Sequence, residues 1–216
     1  MRDRLERFAL LAGAVAAVLW VVSVFVLEGA GNPSGPNSGG EIAEFYRDNR
    51  TPILIAATLH VLGGFLFLWF VAALRPVLDA GGAPSWLRTA AVVGGTAGGA
   101  LMLAMTGGQS TGATTDTELL TPDTAIVFWR LAHSFFVAAE IALAVFVGAL
   151  SILALRRLVL PRWLGWFGIA VTVLLLITPI GWAALLFLLP LWLIAASAIL
   201  WRRSAGLGEL PSRAGT

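Results

Sequence analysis

Apolar residues dominate this chain in long runs rather than at helical or strand spacing, and the runs are broken by short polar segments. Six of them are long enough to cross a hydrocarbon core of about 30 Å as helices. They fall at 8–27, 53–74, 86–106, 125–155, 163–179 and 182–201. The connections are too short to hold a separate domain. One break is longer: GAGNPSGPNSGG from Gly29 is rich in turn residues and is expected to be irregular. It leads into EIAEFYRDNR, where Ser38 and Glu41 have the spacing of a capping box. That segment is expected to be a short amphipathic helix on the membrane surface. Thr51-Pro52 and Thr121-Pro122 each place a side-chain cap before a proline whose missing N–H costs nothing in a first helical turn. Pro190 falls inside the last run and should kink it. The expected fold is therefore all-α, a bundle of six membrane-spanning helices over residues 1–205, with a disordered tail at 206–216.

Composition agrees with the pattern. Of 216 residues, 58% are hydrophobic and only 12% are charged, about half the charged share of a soluble domain. Mean hydropathy is +0.88. The first run follows Arg2, Arg4 and Arg7 as a signal peptide would, but it is longer than a removable apolar core and reads as a retained helix. Cysteine is absent, which excludes disulfides, thiolate metal centres and thiol catalysis. All basic residues are arginine, and no cluster of them is large enough to suggest nucleic acid as a partner. The lipid bilayer is the partner the composition implies, with a second copy or another membrane subunit open as a protein partner.

Arginine placement sets sidedness. Arg2, Arg4, Arg7, Arg75, Arg88, Arg156, Arg157, Arg162, Arg202, Arg203 and Arg213 fall on one side of the six-span arrangement, Arg47 and Arg50 on the other. Carboxylates lean the opposite way, with Glu28, Glu41, Glu44, Asp48, Asp116, Glu118 and Asp123 on the arginine-poor side. Both termini are expected in the cytoplasm.

Ionisable groups inside an apolar run cost about 2.5–3.5 kcal/mol each at mid-helix, so they need a reason. His60, Arg130, His133 and Glu140 are the four. Counted from Arg75 and Arg156, His60 and Glu140 lie about 22 and 24 Å up, level with one another, with His133 about 34 Å and Arg130 about 39 Å up. Arg130, His133 and Glu140 share one face of their helix at about 100° per residue. His60 and Glu140 are expected to touch or to share one cavity, either as glue between helices through a hydrogen bond or as part of a small outward-facing pocket for a ligand, ion or proton. Arg130 is expected to reach headgroups or to pair with Asp123. The histidines and Glu140 lack any short metal-binding spacing, and the two histidines are too far apart in depth to share a haem. No cofactor, metal or catalytic residue is therefore assigned.

The third run carries two overlapping small-residue pairs, Gly94/Gly98 and Gly95/Gly99, which permit close helix contact. Packing within the chain and homodimerisation both remain open for them. Gly108-Gln109-Ser110-Thr111-Gly112 matches the G-x-S-x-G pattern of serine hydrolases, but its surroundings lack the strand that precedes such an elbow. An intramembrane serine hydrolase or a redox protein is the alternative to a non-enzymatic accessory, sensory or small-ligand-binding role. A plain structural bundle within a larger complex is a third reading.

Two segments at the inner boundary, FLFLWFVAALRPVL from Phe65 to Leu78 and LPRWLGWFGIA from Leu160 to Ala170, together with the six runs and the basic start, resemble a broad group of bacterial, largely actinobacterial, six-helix membrane proteins of unassigned function. The resemblance implies that topology and a bacterial plasma membrane. It transfers no catalytic residues.

Overall fold

The computed structural model describes residues 2–33 and 38–207, and these residues are helical throughout their ordered elements with no strand among them. Helix α1 covers Arg2–Gly29, α2 Gly39–Asp48, α3 Arg50–Ala80, α4 Ser85–Thr114, α5 Pro122–Leu155 and α6 Arg162–Leu176. After a break at Ile177 come α7 (Thr178–Ala183), a π-helical turn (Ala184–Leu188) and α8 (Leu189–Leu207). The tail expected to be disordered lies, from residue 208 on, outside the described residues, as do residues 34–37 of the Pro/Gly segment before α2.

Among the described residues five helices, not six, are long and apolar enough to cross a membrane. The run at 163–179 is where the expectation fails. It folds as α6, 15 residues ending at Leu176, about 22 Å against a core of about 30 Å. The chain then turns at Ile177, whose φ of −94° and ψ of 88° are non-helical, and α7 starts back along the bundle. Apolarity gave that run enough length on paper; the break at Ile177-Thr178-Pro179 divides it.

Local signals explain most other boundaries. The Thr121 side chain accepts from the Thr124 N–H and Pro122 sits in the first turn of α5. The Ser38 capping box is fully formed: the Glu41 N–H donates to Ser38 Oγ, and the Ser38 N–H to Glu41 Oε2. Thr51, by contrast, does not cap. Helix α3 starts two residues earlier, after Asn49, without a side-chain cap. Pro190 produces no simple kink, because the Leu189 N–H bonds to Ala184 O in the π-turn. The wider turn lets α8 restart with Pro190 in its first turn, where no N–H is required.

Helix α2 does not lie free on a surface. Its apolar face, Ile42, Ala43, Phe45 and Tyr46, packs with Ile53, Ala113, Leu120 and Ala125 at one end of the bundle. Arg47 Nη2 donates to Leu120 O at 2.8 Å and fixes the contact.

Close glycine contacts give the register. Gly64 meets Leu103, Gly99 meets Phe67 and Leu68, and Gly95 meets Val71, so α3 and α4 are antiparallel. Gly94 meets Ala142 and Phe146, Gly98 meets Leu143, and Gly108 meets Ala132, so α4 and α5 are antiparallel too. Gly94 and Gly98 thus face α5 while Gly95 and Gly99 face α3. A β-carbon at Gly94 would stand 2.8 Å from the Phe146 nitrogen, and one at Gly98 2.6 Å from Leu143 Cδ2. Both small-residue faces of α4 are occupied by its own chain, which wedges α4 between its neighbours.

Helix α8 closes the ring by packing on α1, where Gly13 faces Ser197 and Phe70. The centre is aromatic. Phe67 meets Trp20 and Phe146 with ring centroids 5.1 and 5.5 Å apart, and Phe146 meets Trp192 at 6.1 Å. One end of the bundle carries the loops at 81–84 and 156–161 and the end of α8, tied by Arg203 Nη1 donating to Val159 O. The other carries α2. The outside is strongly apolar, with Phe25, Trp69, Val93, Trp163 and Leu191 among many large exposed side chains, an exterior that hydrocarbon solvates and water does not.

Candidate functional site

His60 is carried on the α1-facing side of α3 and is only 6% exposed. Its partners come from α1. Ser23 Oγ lies 3.1 Å from Nδ1, and the Ser23 hydroxyl donates to Trp20 O at 2.8 Å. With that proton committed, Ser23 accepts from Nδ1–H, which leaves Nε2 as the unprotonated nitrogen. The Trp20 indole N–H donates to the His60 carbonyl at 3.3 Å, and the two rings stack at 5.8 Å. Gly63 makes room for Trp20. Nε2 is buried and has no hydrogen-bond partner among the described residues.

Glu140 is 2% exposed, and its carboxyl makes no hydrogen bond or ion pair among the described residues. Its neighbour is Gly181 in α7. A β-carbon at Gly181 would lie 3.0 Å from Glu140 Cδ and from both carboxyl oxygens. The level of this contact follows from the α5–α6 register, in which Gly165 meets Ala154, Gly168 meets Ser151, and Gly148 meets Thr172. Continued upward, the tip of the α6–α7 hairpin ends at about the height of Glu140. Beyond it α5 runs on for about 27 Å with neither α6 nor α7 beside it.

Arg130 and His133 stand on that uncovered stretch, and both are exposed. The His133 ring stacks on Phe136 at 6.4 Å. Arg130 pairs with neither Asp123 nor any other carboxylate among the described residues. The shared face expected for Arg130, His133 and Glu140 is thus covered only at its Glu140 end.

His60 and Glu140 are not joined. No hydrogen bond or ion pair links them, and the register sets them at different heights. Through α4, His60 is level with about residue 107 and Glu140 with about residue 100, on the order of 10 Å apart. The count from the flanking arginines missed this because it took Arg75 and Arg156 as one level. On the same register Arg156 lies about eight residues further from α2 than Arg75 does.

The structure adds residues that the apolar pattern did not single out. Ser23 and Trp20 were legible in principle, as the one hydroxyl and the one indole of the apolar run in α1, three residues apart. Gly181 had a signal too: it lies in ITPIGW, a connection with no charged residue. The Gly108–Gly112 stretch is not an elbow. It lies within α4, and the Ser110 hydroxyl donates to Thr106 O at 2.9 Å. The described residues hold no group of three metal-ligating side chains.

The end of the bundle carrying α2 is acidic. Glu41, Glu44 and Asp48 line an open groove beside Gly31 and Pro33, and Glu28 accepts from Asn32 Nδ2. Under them the Tyr46 phenol is buried without a partner among the described residues, and burial pushes its ionisation well above the usual tyrosine range.

No protein-family model, no curated protein and no solved structure matches this chain.

Proposed function

We propose that this chain is a multi-pass protein of a bacterial plasma membrane that binds a proton or a small cation at Glu140, reached from the outer side, in a sensory or accessory role rather than an enzymatic one. Sidedness rests on the arginines. Arg75, Arg88, Arg156, Arg157, Arg162, Arg202 and Arg203 crowd the end opposite α2, which faces the cytoplasm by the positive-inside rule. The acidic α2 end then faces outward and attracts cations. The bacterial setting rests on the two inner-boundary segments described above.

One observation carries the binding role: Glu140 is a buried residue, 2% exposed, in an apolar bundle, and nothing among the described residues donates to its carboxyl. A bare carboxylate is very costly in hydrocarbon, so the group holds a proton or a cation. It sits against a broken helix, the arrangement in which membrane proteins admit irregular backbone at depth where it lines a site. A polar pair that only glued helices together would satisfy itself, and Glu140 does not.

A carbodiimide that modifies protonated carboxyls in apolar surroundings tests this reading. Mass spectrometry of the treated, purified protein should find the adduct on Glu140, more of it at low pH than at high, and none in Glu140→Gln. An unmodified Glu140 across the pH range overturns the reading.

A further inference from the structure

We propose that the arginines gathered around Val159 bind the phosphate of an anionic phospholipid in the inner leaflet, whose acyl chain lies along the exposed stripe of α6. The site depends on the sidedness given above and not on Glu140, which stands about 24 Å further up α5 than Arg156.

Along the sequence no basic cluster exceeds three residues. The fold joins two clusters into one. Arg203 Nη1 donates to Val159 O at 2.8 Å, which brings the end of α8 onto the connection between α5 and α6. Arg156, Arg157 and Arg162 stand within three residues of Val159 on that connection, and Arg202 adjoins Arg203. All five are exposed. Asp79 belongs to the same end, where Gly81 meets Val159, but its carboxylate pairs with Arg88. At the start of α1, Arg2, Arg4 and Arg7 outnumber Asp3 and Glu6, so the sign of the charge there is the same. Guanidinium groups present a planar fork of donors that suits phosphate oxygens. Basic groups between helices at the cytoplasmic side are where lipid headgroups dock.

Arg157 points to a ligand independently. Among the described residues other than glycine, it alone has a positive φ, 59°. Glycine is what a helix end of this kind favours. An arginine held in a glycine's conformation has a use for its side chain, yet that side chain makes no hydrogen bond or ion pair among the described residues.

Helix α6 supplies the apolar half of the site. Trp163 and Trp166 are exposed within about one turn of Arg162, the level at which indoles sit between headgroup and chain. Ala170, Val173 and Ile177 continue the same exposed stripe at helical spacing. A free phosphate would use the arginines and leave this stripe bare; a phospholipid uses both.

The test titrates phosphatidylglycerol into the purified full-length protein in a neutral detergent and reads bound lipid by native mass spectrometry. Saturable binding is expected, weakened about tenfold in the double variant Arg157→Gln with Arg202→Gln. Neither phosphatidylcholine nor inorganic phosphate should displace it. Arg75→Gln removes one charge from the same end, six residues up α3 from Gly81, and should bind as the parent does. Arg157→Gly should bind more weakly even though its backbone is relieved. Absence of saturable binding to the parent overturns the inference, as does parental binding in Arg157→Gly. Equal losses in Arg75→Gln and the double variant would mean diffuse charge and no site. Displacement by inorganic phosphate would assign the arginines to a free anion, and the lipid inference falls. Carbodiimide labelling of Glu140 is a separate readout, so the lipid site and the binding role of Glu140 stand or fall independently.

Discussion

Gly181 backs the Glu140 carboxyl so closely that a β-carbon in its place would stand 3.0 Å from Cδ and both oxygens. The two residues belong to different helices, and only the break at Ile177 lets α7 bring a glycine to that height. Gly181→Ala should therefore destabilise the protein by about 1–3 kcal/mol, the usual cost of overpacking. Glu140→Ala removes the obstacle, so the double variant should be more stable than the sum of the single changes allows, with a coupling of about 0.5–3 kcal/mol. Reversible unfolding in detergent across the four proteins measures this. Strict additivity would mean the two side chains do not meet.

Ser23 holds His60 by accepting from Nδ1. Replacing it with alanine strands a buried donor, which costs about 1–3 kcal/mol. Ser23→Ala should lower the melting temperature, and His60→Phe in the same background should recover part of the loss. A Ser23→Ala protein that melts with the parent would refute the pairing.

Gly98 meets Leu143 with no space for a side chain. Gly98→Leu should force α4 from α5 and lower thermal stability sharply, while leaving the oligomeric state as it was. If light scattering shows instead that a parental dimer dissociates with stability intact, the glycine face is an intermolecular contact.

The Tyr46 hydroxyl is buried against α4 near Gly112 without a partner. Removing an unsatisfied hydroxyl relieves a desolvation penalty, so Tyr46→Phe should be neutral or stabilising by up to about 1 kcal/mol. Arg47→Ala removes the bond to Leu120 O and should loosen α2, seen as faster amide exchange over 39–48. Slower exchange, or a strongly destabilised Tyr46→Phe, would contradict this packing of α2.

Helix α5 is followed by its cap Arg156 and then by Arg157, whose φ of 59° is left-handed. The turn closes with Leu158 N donating to Leu153 O. Glycine adopts that conformation freely while arginine does not, so Arg157→Gly should stabilise by about 1 kcal/mol. A lower melting temperature would show that the arginine side chain contributes more than its backbone strain costs.

Sequence by itself determined what depends on composition and on local chemistry. Apolar runs separated by arginines dictate helices in hydrocarbon, because backbone groups there must bond within their own segment. The Ser38 box and the Thr121-Pro122 cap were likewise readable, since both act over three residues. The four ionisable groups were visible as anomalies in their runs. What the tertiary structure decided is which of them meet. Depth counted from Arg75 and Arg156 made His60 and Glu140 level, but helix register depends on where Gly64, Gly98 and Gly99 dock on their neighbours, and no single helix encodes that. The short α6 shows the same limit. Hydropathy sums over a run and cannot feel the break at Ile177, which persists because the tip docks beside Glu140. Partner choice was also tertiary: His60 took Ser23 from α1, and Glu140 was left facing a glycine, because side chains separated by dozens of residues meet only after the helices have packed.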